Sequence, residues 1–274
     1  MIRLSAFADE ISPDPAEQVR VLAAQGIRHI EFRSILGTNV LDLSKEQHAA
    51  FKALLDDNGF GLSAIGSPIG KIQITDPFEP HLDRFALALD LADFYGTPNI
   101  RVFSYYMPKG EDPGTYREEV MRRMLAKAEI AASRGIRLVL ENEKGIYGDT
   151  AARVLEILES VESTGLGHAF DPANYLEVGQ EIDEAWGLLK SRVVHFHVKD
   201  YDRKLEKNVP AGRGEGQIPR LIDEAVGWGY DGFCVLEPHL VVAEASYGFT
   251  GPDRFAEAAV ALKSALDDRT IAYA

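Results

Sequence analysis

The segment Leu138-Val139-Leu140-Glu141-Asn142-Glu143 runs three apolar residues straight into two carboxylates flanking an amide. Carboxylates are costly to bury without partners, so a buried strand that ends on them must deliver them to something that needs their charge. Three further segments end in the same way: short apolar runs lead to Asp171 in FDPANY, His197 in HFHVKD and Glu237 in LEPH. Carboxylates packed closely repel one another and are driven to protonate, and a divalent cation removes that conflict. Three oxygen donors and one imidazole suit a fairly hard ion, Mn²⁺ or Mg²⁺ first, with Co²⁺ or Zn²⁺ also compatible. The expected site is one divalent metal ion held by Glu141, Asp171, His197 and Glu237. Taken singly, each acid could serve as a helix cap and the histidine as a hydrogen-bonded core residue. Their coincidence on successive strands favours the metal.

The elements that must position these residues are legible as a repeat. Short apolar runs start at Arg3 (RLSAFA), His29 (HIEFRS), Gly61 (GLSAIGS), Asn99 (NIRVFSY), Ile136 (IRLVLEN), Gly167 (GHAFDP), Val193 (VVHFHVKD) and Phe233 (FCVLEPH). Their spacing, roughly 25 to 40 residues, is that of strand–crossover–helix units. The intervening segments read as helices. DPAEQVRVLAAQG has Asp14 and Pro15 at its start and Gly26 at its end. Ser44 and Gln47 are placed as a capping box for the helix that closes on Gly59. A long amphipathic segment, YREEVMRRMLAKAEIAASRG, ends at Gly135. Alternating strand and helix implies a parallel sheet with right-handed crossovers. Eight units in about 250 residues predict a closed (β/α)8 TIM barrel, here one domain over residues 1–274. No G-x-G-x-x-G follows an early strand, so the dinucleotide-binding alternative lacks its fingerprint. In a barrel of this kind the strand ends meet at one mouth, where the site is expected.

Composition narrows the classes. The chain has 274 residues, 46% of them hydrophobic, enough for an ample core without staples. Its one cysteine, Cys234, cannot bridge internally and points to a reducing compartment. The start MIRLSAFADE carries acids too early for a secretory signal, and no apolar run reaches membrane-spanning length. A soluble cytoplasmic protein is expected. The formal charge of −14 disfavours partners that need a basic surface, so neither nucleic acid nor membrane is expected as a partner. A homo-oligomer is compatible with the sequence.

FADEIS, GSPIGKI, ENEKGIYGDT, FDPANY, HFHVKD, GEGQIP and LEPHL, in that order, resemble the sugar phosphate isomerase/epimerase family with its xylose isomerase-like TIM barrel. The likeness covers nearly the whole chain. It implies a metal held by Glu, Asp, His and Glu from the last four strands, which falls on Glu141, Asp171, His197 and Glu237. It also implies that Glu141 and Glu237 act as the acid/base pair. Two positions depart from the ketose epimerase pattern: Asn174 stands where those enzymes place a histidine, and Tyr147 near a carboxylate.

Such a constellation supports proton transfer next to a carbonyl. An enediolate forms when the C–H between carbonyl and hydroxyl loses its proton, and two glutamates on opposite faces can remove and return it. Return at the same carbon epimerises; return at the neighbouring carbon isomerises. The expected function is a metal-dependent isomerase or epimerase of a keto-sugar or sugar derivative. A lyase or dehydratase expelling a β-oxygen substituent from a keto-sugar such as a 3-keto-glycoside needs only another substrate. An apurinic-site endonuclease and a non-enzymatic sugar-binding barrel are weaker alternatives, the first disfavoured by the acidic balance.

Substrate contacts are expected from Lys199, Asn174, Arg213, Glu143 and Lys71. His195, His197 and Lys199 share strand parity, which sets His195 a layer deeper and Lys199 higher. Lys199 could reach a substrate oxygen or pair with Glu143 or Asp200. Gly212, Gly214 and Gly216 around Arg213 could cradle an anion on backbone N–H groups or simply permit turns. Lys71 lies in a long connection that could cover the mouth, and Arg33 and Tyr105 are candidates for hydroxyl contacts. Trp186 and Trp228, in outer helices, read as packing residues.

Overall fold

In the computed structural model, which describes residues 1–161, 165–241 and 249–274, eight parallel strands close into one barrel. They are β1 (Arg3–Ala6), β2 (His29–Phe32), β3 (Gly61–Ile65), β4 (Asn99–Val102), β5 (Arg137–Glu141), β6 (Leu166–Phe170), β7 (Val193–Val198) and β8 (Phe233–Leu236). All eight fall on the apolar runs expected from the sequence. Their order around the barrel is their order in the chain, and β1 pairs with β8 to close it, Leu4 opposite Cys234 and Ala6 opposite Leu236. Short apolar strands covered on both faces are what parallel strands with helical crossovers require.

Residues Met1–Ser63 with Phe196–Ala274 form one compact unit. It carries helices α1 (Pro15–Ala24) and α2 (Lys45–Asp57). The Asp14 side chain accepts the Ala16 N–H at the start of α1, and Ser44 and Gln47 complete a reciprocal capping box on α2. Each cap contributes about 1 kcal/mol by satisfying N–H groups that the first turn leaves open. Phe7, Phe233 and Val235 form a buried cluster in this unit.

Residues Ala64–His195 form the other unit. Here α3 (Glu79–Tyr95), α4 (Arg117–Ser133), α5 (Ala151–Ser160), α6 (Pro172–Glu177) and α7 (Ile182–Leu189) accompany the strands. β4 pairs with β5 through Val102 and Leu140, and β5 with β6 through Glu141 and Ala169. Gly70, at φ 98°, lets the connection after β3 press on the segment after β4, because a Cβ there would lie 2.0 Å from the Phe103 carbonyl oxygen. Trp186 is buried edge-on to Phe170, with ring centroids 5.4 Å apart.

The last two helices, α8 (Ile218–Gly227) and α9 (Pro252–Asp267), belong to the first unit. Trp228, just past α8, is 53% exposed, so it is not the packing residue its helical setting suggested. Among the described residues no helix is long and apolar enough to cross a membrane.

Candidate metal centre

β5 ends on Glu141 and the chain continues through Asn142, both buried. The Asn142 side chain replaces ladder partners that the strand no longer finds. Its Nδ2 donates to the Asp171 carbonyl (2.9 Å), and its Oδ1 accepts the Asp171 N–H (3.1 Å). Asp171 in turn caps α6, accepting the Asn174 N–H on Oδ1 at 3.0 Å. Asn174 Nδ2 donates to the Asn142 carbonyl (2.8 Å) and lies 3.5 Å from Glu141 Oε1. Arg101 of β4 holds the other side of that carboxylate, Nη1 to Oε2 at 3.3 Å, while Nη2 donates to the Gly66 carbonyl at 3.1 Å. Lys71 and Glu143 meet one another, Nζ to Oε2 at 2.7 Å. Thus Asn174 braces a candidate ligand, and Lys71 and Glu143 form a half-buried pair.

β7 and β8 bring His197 and Glu237, also buried. His197 Nε2 lies 3.3 Å from Glu31 Oε2, and Nδ1 lies 3.5 Å from Glu237 Oε2. A proton on Nε2 directed at Glu31 leaves the Nδ1 lone pair on the side of Glu237, the carboxylate–imidazole support usual behind metal-binding histidines. Glu237 Oε1 accepts from Arg33 Nη1 at 3.0 Å, and Arg33 Nε donates to Asp9 Oδ2 at 2.7 Å. Lys199 Nζ is 3.9 Å from Glu237 Oε2, and His239 Nε2 is 3.3 Å from Oε1. Burial pushes the Glu237 carboxyl up, but Lys199, His239 and His197 outweigh it and hold it well below the usual carboxylate range. Glu10 has the opposite balance. Burial raises it despite His239 and Arg33.

Glu141, Asp171, His197 and Glu237 each offer a ligand atom, all four within 4.8 Å of one another and all four residues buried. Three carboxylates and an imidazole at that separation fit a divalent cation of oxygen preference, and the donor set could hold one. Two further groups meet the same distance, Glu31 with His195 and His197, and Glu10 with Glu237 and His239. They are poorer holders: Glu31 is engaged with His197, and Glu10 already accepts the Thr250 hydroxyl (2.5 Å) and the His239 N–H (2.9 Å).

The glycine-rich loop is arranged differently from a substrate cradle. The Asp200 carboxylate accepts the N–H groups of Gly212 (2.8 Å), Gly214 (3.1 Å) and Gly216 (2.8 Å), so the anion in this nest is the protein's own. Arg213 turns to Glu257 of α9, Nη1 to Oε1 at 2.9 Å, and lines an open groove of about 660 Å³ with Pro219 and Arg269. Tyr105 points into the helical layer near α3 and α4 and is wholly buried, so a hydroxyl contact with substrate is not available to it. Arg33, expected near substrate, serves Asp9 and Glu237. Sequence reasoning passed over Glu31 and Arg101. The signal for both was a charged residue interrupting an apolar strand, between Ile30 and Phe32 and between Ile100 and Val102.

Residues 19–264 match the family described as xylose isomerase-like TIM barrel. The 3-dehydroshikimate dehydratase of Bacillus anthracis is 24% identical over 156 residues, covering 54% of this chain. The chain spans only 39% and 56% of the lengths of the two curated relatives it matches. Among solved structures, the probable 3-DHS dehydratase of Bacillus anthracis has a TM-score of 0.75 at 19% identity, covering 96% of this chain and 99% of that one. A xylose isomerase-like TIM barrel protein from Mycobacterium smegmatis, solved with magnesium, has a TM-score of 0.73 at 18% identity, covering 98% and 97%. A D-tagatose 3-epimerase-like protein has a TM-score of 0.75 at 18% identity, covering 98% of each chain. At such identities these structures establish likeness of fold. With nearly its whole length matched and its eight strands closed in chain order, this chain belongs to the xylose isomerase-like TIM barrel family.

Proposed function

We propose that the chain is a divalent-metal-dependent enzyme that moves a proton beside the carbonyl of a keto-sugar or a related polyhydroxy ketone, as an isomerase or epimerase. The observation that carries this reading is the convergence of four buried donors, two of them glutamates, within 4.8 Å. Glu141, Asp171, His197 and Glu237 would hold the cation, which would supply positive charge where negative charge develops beside the carbonyl.

The chain's own residues perform the proton transfers. Glu237, kept ionised by Lys199, His239 and His197, takes the proton from the C–H beside the carbonyl, and the bond's electron pair becomes the enediolate double bond. Glu141, aimed by Arg101 and Asn174, enters the step protonated and delivers its proton to the enediolate. This leaves Glu141 ionised and Glu237 protonated until solvent exchange resets both. Delivery to the opposite face of the same carbon inverts it; delivery to the neighbouring carbon, with the hydroxyl proton passing to the former carbonyl oxygen, moves the carbonyl. Lys199 and Lys71 are the proposed contacts to substrate oxygens, and the balance of −14 supports a small substrate rather than a nucleic acid.

A second reading draws on the sequence likeness to a 3-dehydroshikimate dehydratase. There the same carbanion expels the β-hydroxyl: the electron pair forms the new C=C bond, the C–O bond breaks, and a proton from the protonated glutamate of the pair lets the oxygen leave as water. One experiment separates the two. The protein with Mn²⁺ or Mg²⁺ is incubated in D₂O with free ketoses, sugar phosphates, 3-keto-glycosides and a β-hydroxy ketone, and followed by NMR. Deuterium beside the carbonyl with retained substituents supports the isomerase or epimerase; loss of the β-substituent supports the lyase. On the substrate so found, Glu141→Gln and Glu237→Gln should each lower kcat by orders of magnitude. Full activity in either variant removes that residue from the acid/base role.

A further inference from the structure

The proposed chemistry leaves one buried cationic group unused. On α4, Lys127 is 0% exposed and its Nζ lies 4.6 Å from the centroid of the Tyr105 ring. Arg123, one turn earlier, has its guanidinium carbon 5.4 Å from the same centroid. Its Nε donates to Glu119 (2.6 Å) and its Nη2 to the Asp76 carbonyl (3.0 Å). His81 of α3 stands with its ring 6.0 Å from that of Tyr105. Three polar atoms remain: Lys127 Nζ, Arg123 Nη1 and the Tyr105 hydroxyl are buried and meet no hydrogen-bond partner among the described residues.

Every one of the three can donate a hydrogen bond. His81 Nε2 is occupied by the Gly70 N–H at 2.9 Å. Glu119 is the carboxylate that reaches this group, and Arg122 shares it. Arg123 has Glu119 as its counter-charge, whereas Lys127 Nζ meets no hydrogen-bond partner among the described residues, and a buried cation left so costs several kcal/mol. A water molecule would satisfy donors but leave the charge uncompensated. We infer that this group, between α3, α4 and the segment after β4, binds a small monovalent anion of chloride's size through Lys127 Nζ, Arg123 Nη1 and the Tyr105 hydroxyl. Two cationic side chains disfavour a metal ion, and the complete burial of Lys127 and Tyr105 disfavours a bulky anion.

Such an anion would fix more than a side chain. Tyr105 has φ 72°, a left-handed backbone that costs a non-glycine residue about 1–2 kcal/mol. Its carbonyl accepts the Tyr147 N–H at 2.9 Å, and the preceding Ser104 hydroxyl accepts the Gly148 N–H at 2.7 Å. Anchoring the Tyr105 ring therefore anchors the segment that holds the connection after β5.

The test uses the full chain crystallised in bromide in place of chloride, with anomalous scattering measured at the bromine edge. A bromide peak within hydrogen-bond reach of Lys127 Nζ and Arg123 Nη1 is expected, and it should vanish in Lys127→Met and weaken in Tyr105→Phe. In solution, chloride should raise Tm more than gluconate at equal ionic strength, and Lys127→Met should abolish that difference. No peak in the native protein overturns the proposal. A peak that survives in Lys127→Met, an adventitious ion only, overturns it as well. If Lys127→Met does not fold, Tyr105→Phe decides: a native-strength peak and an unchanged chloride effect there refute the three-donor site.

Discussion

Asn142 and Asp171 exchange two hydrogen bonds, Nδ2 to carbonyl at 2.9 Å and backbone N–H to Oδ1 at 3.1 Å, so a side chain continues the strand ladder past its end. Both residues are fully buried, away from bulk solvent. Asn142→Ala removes the side-chain acceptor of the Asp171 N–H and leaves the Asp171 carbonyl only the longer bond from the Tyr175 N–H (3.4 Å), at a candidate ligand. A loss of about 2–4 kcal/mol in stability is expected by denaturant unfolding. Metal affinity should fall about 10–100-fold by titration, as for other residues that orient ligands. Unchanged affinity would separate this pair from the metal centre.

Removing metal tests the donor cluster. After chelation the protein should remain folded, since its core is large, but should have a lower Tm. Adding Mn²⁺ or Mg²⁺ at about 100 times Kd should restore roughly 2.7 kcal/mol. Asp171→Asn and His197→Ala should lose most of that gain. A Tm indifferent to Mn²⁺, Mg²⁺, Co²⁺ and Zn²⁺, with substoichiometric metal by elemental analysis, argues for a barrel without a metal.

Lys71 and Glu143 are about one-third exposed, so their ion pair contributes little to stability. Lys71→Met should change unfolding free energy by less than about 1 kcal/mol. If the pair opens to receive substrate, the same variant raises KM severalfold and leaves kcat nearly intact. Equal kinetics in variant and native protein would confine the pair to bracing two loops.

Lys127 gives a pH dependence with a definite sign. Burial and Arg123 pull its ammonium down to about 7, with Tyr105 and His81 as the other groups around it. Between that value and the ordinary lysine range near 10.4, the unfolded chain binds the proton and the folded one does not, so stability should rise with pH across that window. In buffer free of small anions the rise should be seen by chemical denaturation and be flattened by Lys127→Met. Chloride should flatten it too, by holding the ammonium charged.

The barrel was legible because its information is local. Each apolar run, each cap such as Ser44 with Gln47, and each closing glycine acts within a few residues, and eight such units in succession leave a parallel barrel as the economical solution. The candidate ligands were legible for the same reason: Glu141, Asp171, His197 and Glu237 stand at strand ends, and strand ends are readable one strand at a time.

What tertiary structure decided were the pairings between distant residues. Arg33 and Glu237 are 204 positions apart and meet at 3.0 Å, which turns an expected substrate contact into support for a carboxylate. Asp200 fills the nest of Gly212, Gly214 and Gly216, and Arg213 goes to Glu257, although glycine spacing alone suited an external anion equally well. Tyr105 follows a strand toward the mouth in sequence, yet a positive φ sends its ring among the helices. Periodicity fixes which face a side chain takes, but the partner it finds there is chosen by burial and charge across the whole fold, where an unpaired group costs more than any local preference.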